Sequence, residues 1–340
     1  MSIRHRPMRP KDVRECVAVV AAHPIAGSRY GSSLADLRKA WLRLLSSNGF
    51  CSAMMFEEVA DGVAGARPRI VGVGVTVFVS DSFVRELKTR PFFWFGPEMA
   101  RRVARGDSPV LSEKQVREAN SRGGLNLAVW HCCVPVRDLK RAEVWQELMN
   151  VFLDEHRGYL LKELVAQGES LEHLEGIRNT SMGPFYCTDG CYGDFGETNL
   201  EELLAEPHIV GITGDLARGL LISWIGLIFV YEAPRLGFSR SEQRLLLSAL
   251  AGGTDEELSG ELGVSLSAIK QTWRSIYRRV GTRTPELIPS DSQEGREGST
   301  RGRNKKQHLI AYLREHRQEL RPVSRKILQQ NAVRLQEPGT

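Results

Sequence analysis

Hydrophobic and polar positions along this 340-residue chain change their period several times. Ser2–Met8 reads as a first strand, and Pro10 stands where the first residue of a helix would be. Lys11–Ala22 follows with Val13, Cys16, Val17 and Val20 at helical spacing. Leu34–Leu45 repeats the pattern, with Leu34, Leu37, Trp41 and Leu44 or Leu45 on one stripe. The next segments are strand-like: Phe50–Glu58 and Ile70–Ser80, the latter alternating as IVGVGVTVFV, with Gly62–Arg69 as the hairpin loop between them. Phe83–Gly124 mixes short helices and turns, Leu125–Val134 predicts another strand, and Glu143–Gln167 a long helix. Further strands are expected near Pro184–Cys187, His208–Ile212 and Leu220–Tyr231. This order predicts an α/β (or α+β) layer domain with a mixed or antiparallel sheet over residues 1–233.

Beyond it the pattern turns helical. Ser239 is placed to cap a first helix, with Glu242 three residues on and Leu246, Leu247 and Leu250 as its core stripe. Thr254 caps a second helix, Asp255–Leu262, with Glu257 at the third position and Leu258 and Leu262 facing inward. Ser265 caps a third, whose Ile269, Trp273, Ile276 and Val280 are spaced four, three and four and so share one buried face. An all-α unit of tetrahelical type is expected over residues 234–289. Pro289–Gly302 is polar and Gly-rich, which predicts a flexible linker over 290–303. A basic helical tail, 304–340, follows, with Leu309, Tyr312, Leu313 and Leu320 on its first helix and Ser324–Leu335 as a second.

Charge sharpens this division. From Leu236 onward there are 18 Lys and Arg against 12 Asp and Glu, a net of +6, while the rest of the chain nets −1. A polyanion is the natural partner of such a segment, although a solvated basic tail carries the same sum. The basic start MSIRHRPMRP leads into no apolar signal core, so a cytoplasmic protein is expected. The longest apolar run, Gly219–Tyr231, falls short of the ~20 residues of a membrane-spanning helix and reads as a long buried strand. The six cysteines include Cys132-Cys133, beside His131, and Cys187 and Cys191. No CxxC spacing occurs, so buried reduced thiols are expected, with no metal and no cofactor.

On the exposed side of the third helix stand Lys270, Gln271, Arg274 and Arg278. Side chains near its N-terminus reach base edges if the helix enters a major groove, while Arg278 and Arg279 suit phosphates. The segment 236–281 resembles the helix-turn-helix of LuxR-type (NarL/FixJ) transcription regulators. Glu242, Gly252, Glu257-Leu258-Ser259, Leu262-Gly263-Val264-Ser265, Ala268-Ile269-Lys270 and Ile276 to Arg279-Val280-Gly281 occupy the positions of that family's motif without a gap. The resemblance implies a bacterial DNA-binding regulator, with Thr254, Ser265, Ser267, Lys270, Gln271, Arg274 and Arg278 as the candidate DNA contacts. Two features depart from the family. Asp255-Glu256 stands where Asn-Lys is common, and Pro285 and Pro289 bracket only one turn where a fourth, dimer-forming helix should begin. The basic tail is a candidate substitute for that interface, or a source of added phosphate contacts.

The N-terminal segment carries no paired acids of a phosphoacceptor receiver domain. Its order of elements is similar to the GNAT acetyltransferase fold, which implies an acyl-CoA pyrophosphate loop at a helix N-terminus after the fourth strand. The nearest local match is His156-Arg157-Gly158-Tyr159-Leu160, which lacks the second glycine. His23, His131, His156, His173 and His208 show no triad or metal spacing, and Gly183–Glu197 is either a pocket lining or a surface loop. Double-stranded DNA, a second copy of the chain and a small-molecule effector are the expected partners. A non-enzymatic regulator is expected, with an acyl-CoA-dependent enzyme fused to a DNA-binding module as the alternative.

Overall fold

The computed structural model describes residues 3–57, 68–181, 185–188, 192–220, 223–250, 252–287 and 298–324. The chain divides into two compact units, Met1–Val230 and Tyr231–Thr340. The hairpin expected at Gly62–Arg69 lies largely outside the described residues, as does the second tail helix. No described helix is long and apolar enough to cross a membrane.

Unit 1 is mixed α/β. It opens with β1 (Ile3–Arg6), α1 (Val13–Ala22), α2 (Pro24–Tyr30) and α3 (Leu34–Leu44), then β2 (Phe50–Glu57) and β3 (Arg69–Val79). Three helices follow, α4 (Asp81–Leu87), α5 (Phe95–Arg105) and α6 (Glu113–Ser121), before β4 (Leu125–Cys133), α7 (Ala142–His156), β5 (Leu161–Ala166) and α8 (Leu171–Ser181). The unit closes with β6 (Tyr186–Thr188), β7 (Tyr192–Asp194), α9 (Leu200–Ala205), β8 (Val210–Thr213), α10 (Gly214–Ala217) and α11 (Trp224–Phe229). The strands form one eight-stranded sheet in the order β1-β2-β3-β4-β5-β8-β6-β7, in which β4 and β5 run parallel and the other pairs antiparallel.

Both faces of the sheet are covered, as the alternation in β3 requires. Val73, Val75, Val77 and Val79 pack with Trp41 and Phe95 in the layer of α1–α3 and α5, while Phe78 turns to the other face with Leu125 and Leu127. Opposite Val75 and Thr76 the register of β4 slips by one, so that Val75 pairs with His131 and Thr76 with Val129. Trp130 is the extra residue of this bulge. A bulge turns consecutive side chains toward one face, and accordingly both Trp130 and His131 meet Trp41.

Three expectations fail here. The helical pattern over Glu143–Gln167 is broken in two: α7 ends at His156, Gly158 takes φ 85°, and Leu161–Ala166 becomes a central strand. Leu161, Leu164 and Val165 suit a helix stripe as well as a strand buried on both faces, and pairing with β4 and β8 decides between them. Gly219–Tyr231 is no strand either. Its described part holds α11, capped by Ser223 and burying Ile225 and Ile228. At Gly226 a Cβ would stand 2.2 Å from the Leu220 carbonyl oxygen, so the tight return of the chain there requires glycine. Pro10 also lies ahead of α1, whose N-cap is Asp12.

Unit 2 consists of α12 (Arg240–Leu250), α13 (Asp255–Leu262), α14 (Leu266–Arg283) and α15 (Gly298–Glu315), with single 3-10 turns at Pro285–Leu287 and Arg317–Leu320. Helix α15 begins inside the stretch read as linker. Its Leu309, Ile310 and Leu313 join Leu245, Leu246, Ile269, Trp273, Ile276 and Val280 in one core. The tail is thus part of the unit and supplies a fourth packed helix where the turn at Pro285–Leu287 falls short. On α12 the inward stripe is Leu245, Leu246 and Ala249, whereas Leu247 is exposed. Glu319, almost fully buried, accepts hydrogen bonds from the Arg235 and Leu236 amides at 3.0 and 2.8 Å, tying the chain's entry into the unit to its far end.

Candidate functional site

Local sequence chemistry builds the α12–α14 arrangement. Ser239 and Glu242 bond reciprocally through side chain and amide (2.6 and 3.4 Å), and Thr254 and Glu257 form a second capping box (2.7 and 3.2 Å). Ser265 accepts from the Ala268 amide at 3.2 Å and starts α14. Glu242 also reaches across to α14, accepting from Ser275 Oγ at 2.8 Å and Arg279 Nε at 3.0 Å. Burial pushes its carboxyl upward, but the Ser239, Ser275 and Arg279 donors bring it below the ordinary value. Arg279 is therefore a structural tie between helices, a correction to its reading as a phosphate contact.

Ser267, Lys270, Gln271, Arg274 and Arg278 are all exposed. At about 100° per residue they fall within an arc of roughly 100°, opposite the buried Ile269, Trp273, Ile276 and Val280. Helix α14 contains no acidic residue, so the exposed face is basic and amide in character throughout. Thr254 and Ser265 are exposed N-caps whose side-chain oxygens are already engaged by backbone amides. Any contact they make to a ligand must share those oxygens or use the hydroxyl proton. Beside this face, Asp255 accepts from Trp273 Nε1 at 3.2 Å and from Lys306 at 3.1 Å. The Lys306 ammonium also lies 5.0 Å from the Trp273 ring centre.

Unit 1 holds a different kind of site. Tyr30, His131 and Glu169 form a buried chain: Tyr30 Oη stands 2.6 Å from His131 Nε2, and His131 Nδ1 stands 2.6 Å from Glu169 Oε1. Trp130 Nε1 donates to Tyr30 Oη at 3.0 Å. Burial drives the Tyr30 phenol well above its ordinary value, so it keeps its proton, and the Nδ1–H of His131 donates to Glu169. The second Glu169 oxygen accepts from the Cys132 amide at 3.0 Å and the Cys133 thiol at 3.1 Å. Burial opposes the ionised form of Glu169, yet the His131 ring and the Cys132 amide hold it down at about 2.

His131, Cys133 and Glu169 bring ligand-type atoms within 4.8 Å of one another. Two ligands at 2.0–2.1 Å from a tetrahedral zinc stand ~3.3 Å apart, and the 2.6 Å between Nδ1 and Oε1 is a hydrogen-bond distance. The cluster has the geometry of a hydrogen-bonded network. Spacing alone did not mark Glu169, which lies 38 residues from His131. Of the histidines, His23 and His173 also feel the Glu169 charge, and burial lowers both below the ordinary histidine value. His156 instead faces Thr76 Oγ1 at 2.8 Å, and His208 lies against Phe92.

Next to this network a cavity of about 560 Å³ opens between the sheet, α7 and α8. Trp145, Leu148, Phe152, Leu164, Ile177 and Phe185 make up much of its wall. Phe185 belongs to the Gly183–Glu197 stretch, so part of that stretch is a pocket lining. Arg157-Gly158 follows the C-terminal end of α7, so it cannot present helix N-terminal amides to a phosphate. The turn before α7 is otherwise engaged: Arg141 pairs with Asp138 (2.9 Å), Glu57 (2.7 Å) and Glu143 (2.8 Å). Arg69 bonds Asp138 at 2.6 Å from the neighbouring strand.

No protein-family profile matches this chain, and no curated protein matches its sequence.

Proposed function

We propose that the protein is a sequence-specific DNA-binding transcription regulator, acting in the cytoplasm as a homodimer, whose unit 1 receives a small-molecule signal. The observation that carries this reading is the acid-free, exposed face of α14, a helix held by its buried stripe and the Ser265 N-cap. Docked in a major groove, Lys270, Gln271 and Arg274 approach base edges, and Arg278 reaches the phosphate backbone. The LuxR-type motif over 236–281 supports the same placement. The tail does not supply the pairing surface through Leu309 and Leu313, because both are spent in the unit's own core.

Selection of bound sequences from a random duplex pool, followed by titration, tests the docking. Lys270→Ala and Arg274→Ala should each weaken the selected site by roughly 1–3 kcal/mol and relax specificity at one position. Arg278→Ala should weaken all sequences alike and flatten the salt dependence by about one unit. Unchanged affinity in all three variants sinks the model. Equilibrium sedimentation tests the homodimer.

A second reading, an acyl-CoA-dependent enzyme joined to a DNA-binding module, draws on the cavity beside α7. Acidic Glu57, Asp138 and Glu143 around the start of that helix argue against a pyrophosphate there. Heat on titration of the full chain with acetyl-CoA would favour the enzyme.

A further inference from the structure

The cavity of unit 1 has a chemical character more specific than its size. Its volume falls in the range that encloses drug-sized ligands. The ring of Trp224 and the half-buried ring of His173 both border it, and Trp224 Nε1 and His173 Nδ1 are enclosed with no hydrogen-bond partner. Native proteins leave few such atoms unsatisfied. Both nitrogens are closed off from the open space, so an occupant meets the remaining surface of these rings and not the nitrogens themselves.

The ionisable neighbours set the sign of that molecule. Glu155, Glu172 and Glu175 border the cavity, and no lysine or arginine does so among the described residues. Glu172 and Glu175 are exposed on α8, and Glu155 is half-buried on α7. An organic anion entering there meets carboxylates and no countercharge. A cation meets the carboxylates and then the faces of Trp145, Phe152, Phe185 and Trp224, whose electron-rich rings attract it once it is desolvated.

We infer that this cavity is a receptor site for a lipophilic organic cation. The apolar body packs between α7, α8 and β5, and the charge rests against the aromatic walls near the glutamates. The inference rests on the reading of unit 1 as the sensing part of the molecule. It does not require the DNA-binding reading of unit 2.

The test titrates the full chain with rhodamine 6G and ethidium as cationic probes, and with fluorescein and acetyl-CoA as anionic ones. Probe anisotropy and quenching of the tryptophan emission follow binding. The cations should bind at least tenfold more tightly than the anions. The double variant Glu172→Gln/Glu175→Gln alters only exposed groups and should lower cation affinity about tenfold. Gly176 lies on α8 at the cavity wall, with nothing within 4 Å of a Cβ built on it. Gly176→Phe should therefore fill the cavity and abolish probe binding, while Gly176→Ala, with an unchanged melting curve, should retain it. Fluorescein or acetyl-CoA binding as tightly as the cations overturns the inference, as does cation binding indifferent to both the double variant and Gly176→Phe. Cation binding by a chain that binds no DNA supports the site and removes only the regulator reading.

Discussion

Glu242 of unit 2 and Glu169 of unit 1 are both buried carboxylates, and they are held in different ways. Glu242 of unit 2 is part of a capping box with Ser239, a neighbour three residues away, and gains Arg279 as a countercharge. Glu169 of unit 1 has no local partner of that kind. An imidazole, an amide and a thiol meet it from β4. Gln167 bonds the Phe95 amide at 2.7 Å, and Arg29 bonds the Gly168 carbonyl at 2.5 Å, so the segment after β5 is pinned on both sides. The comparison teaches that unit 2 is organised by short-range capping behind an exposed basic face. Unit 1 is organised by long-range polar contacts around a buried hydrogen-bonded chain.

The largest effect should come from removing the side chain that joins the short-range pieces of unit 2. Trp273 packs in the core, donates to Asp255 and stacks on Tyr277. Trp273→Ala should destabilise unit 2 by about 3–5 kcal/mol, measured by denaturant melting, and should leave the melting of unit 1 unchanged. Loss of both transitions together would mean that the two units do not unfold separately.

Glu169→Gln should cost unit 1 roughly 1–3 kcal/mol, since it loses charge-assisted acceptance from His131, the Cys132 amide and the Cys133 thiol. The pH dependence follows from the sign of the shift. The folded value, about 2, lies below the ordinary 4.5. The stabilisation is therefore complete above pH 4.5 and is lost as pH falls from there toward 2. The Gln variant should show a flatter stability curve across that window, by urea melts at stepped pH. An equally steep curve would place the acid sensitivity elsewhere.

The smallest effect separates capping from contact. Thr254→Ala removes an N-cap and should destabilise α13 by ~1 kcal/mol. Thr254→Asn restores the cap without the hydroxyl. If Asn recovers stability and DNA affinity together, Thr254 acts on DNA only through the helix it starts.

Much of unit 2 was legible in the sequence. Ser239, Thr254 and Ser265 announce helix starts, and Ile269, Trp273, Ile276 and Val280 announce a buried face, because capping and amphipathic spacing act within a few residues. The position of Lys270, Gln271 and Arg274 on the opposite face follows from the same spacing. The role of the tail was not legible. Leu309 and Leu313 mark an apolar stripe, but only packing shows that it closes this unit's own core. In unit 1 the strands from β1 to β4 could be read from alternation, whereas β5 and α11 could not. Leu161–Ala166 is apolar enough for either structure, and α11 came from a run that suited a strand.

By itself, then, the sequence determined the local elements whose causes are local: capped helices, alternating strands, and the basic face of α14. Tertiary structure alone decided that Tyr30, His131 and Glu169 form one chain, since the contacts span 101 and 38 residues. It alone decided that the bulge at Trp130 turns His131 toward Tyr30, and that α7 and α8 enclose a cavity bordered by glutamates. Those features depend on how strands pair and where layers separate, which no periodicity within a single segment encodes.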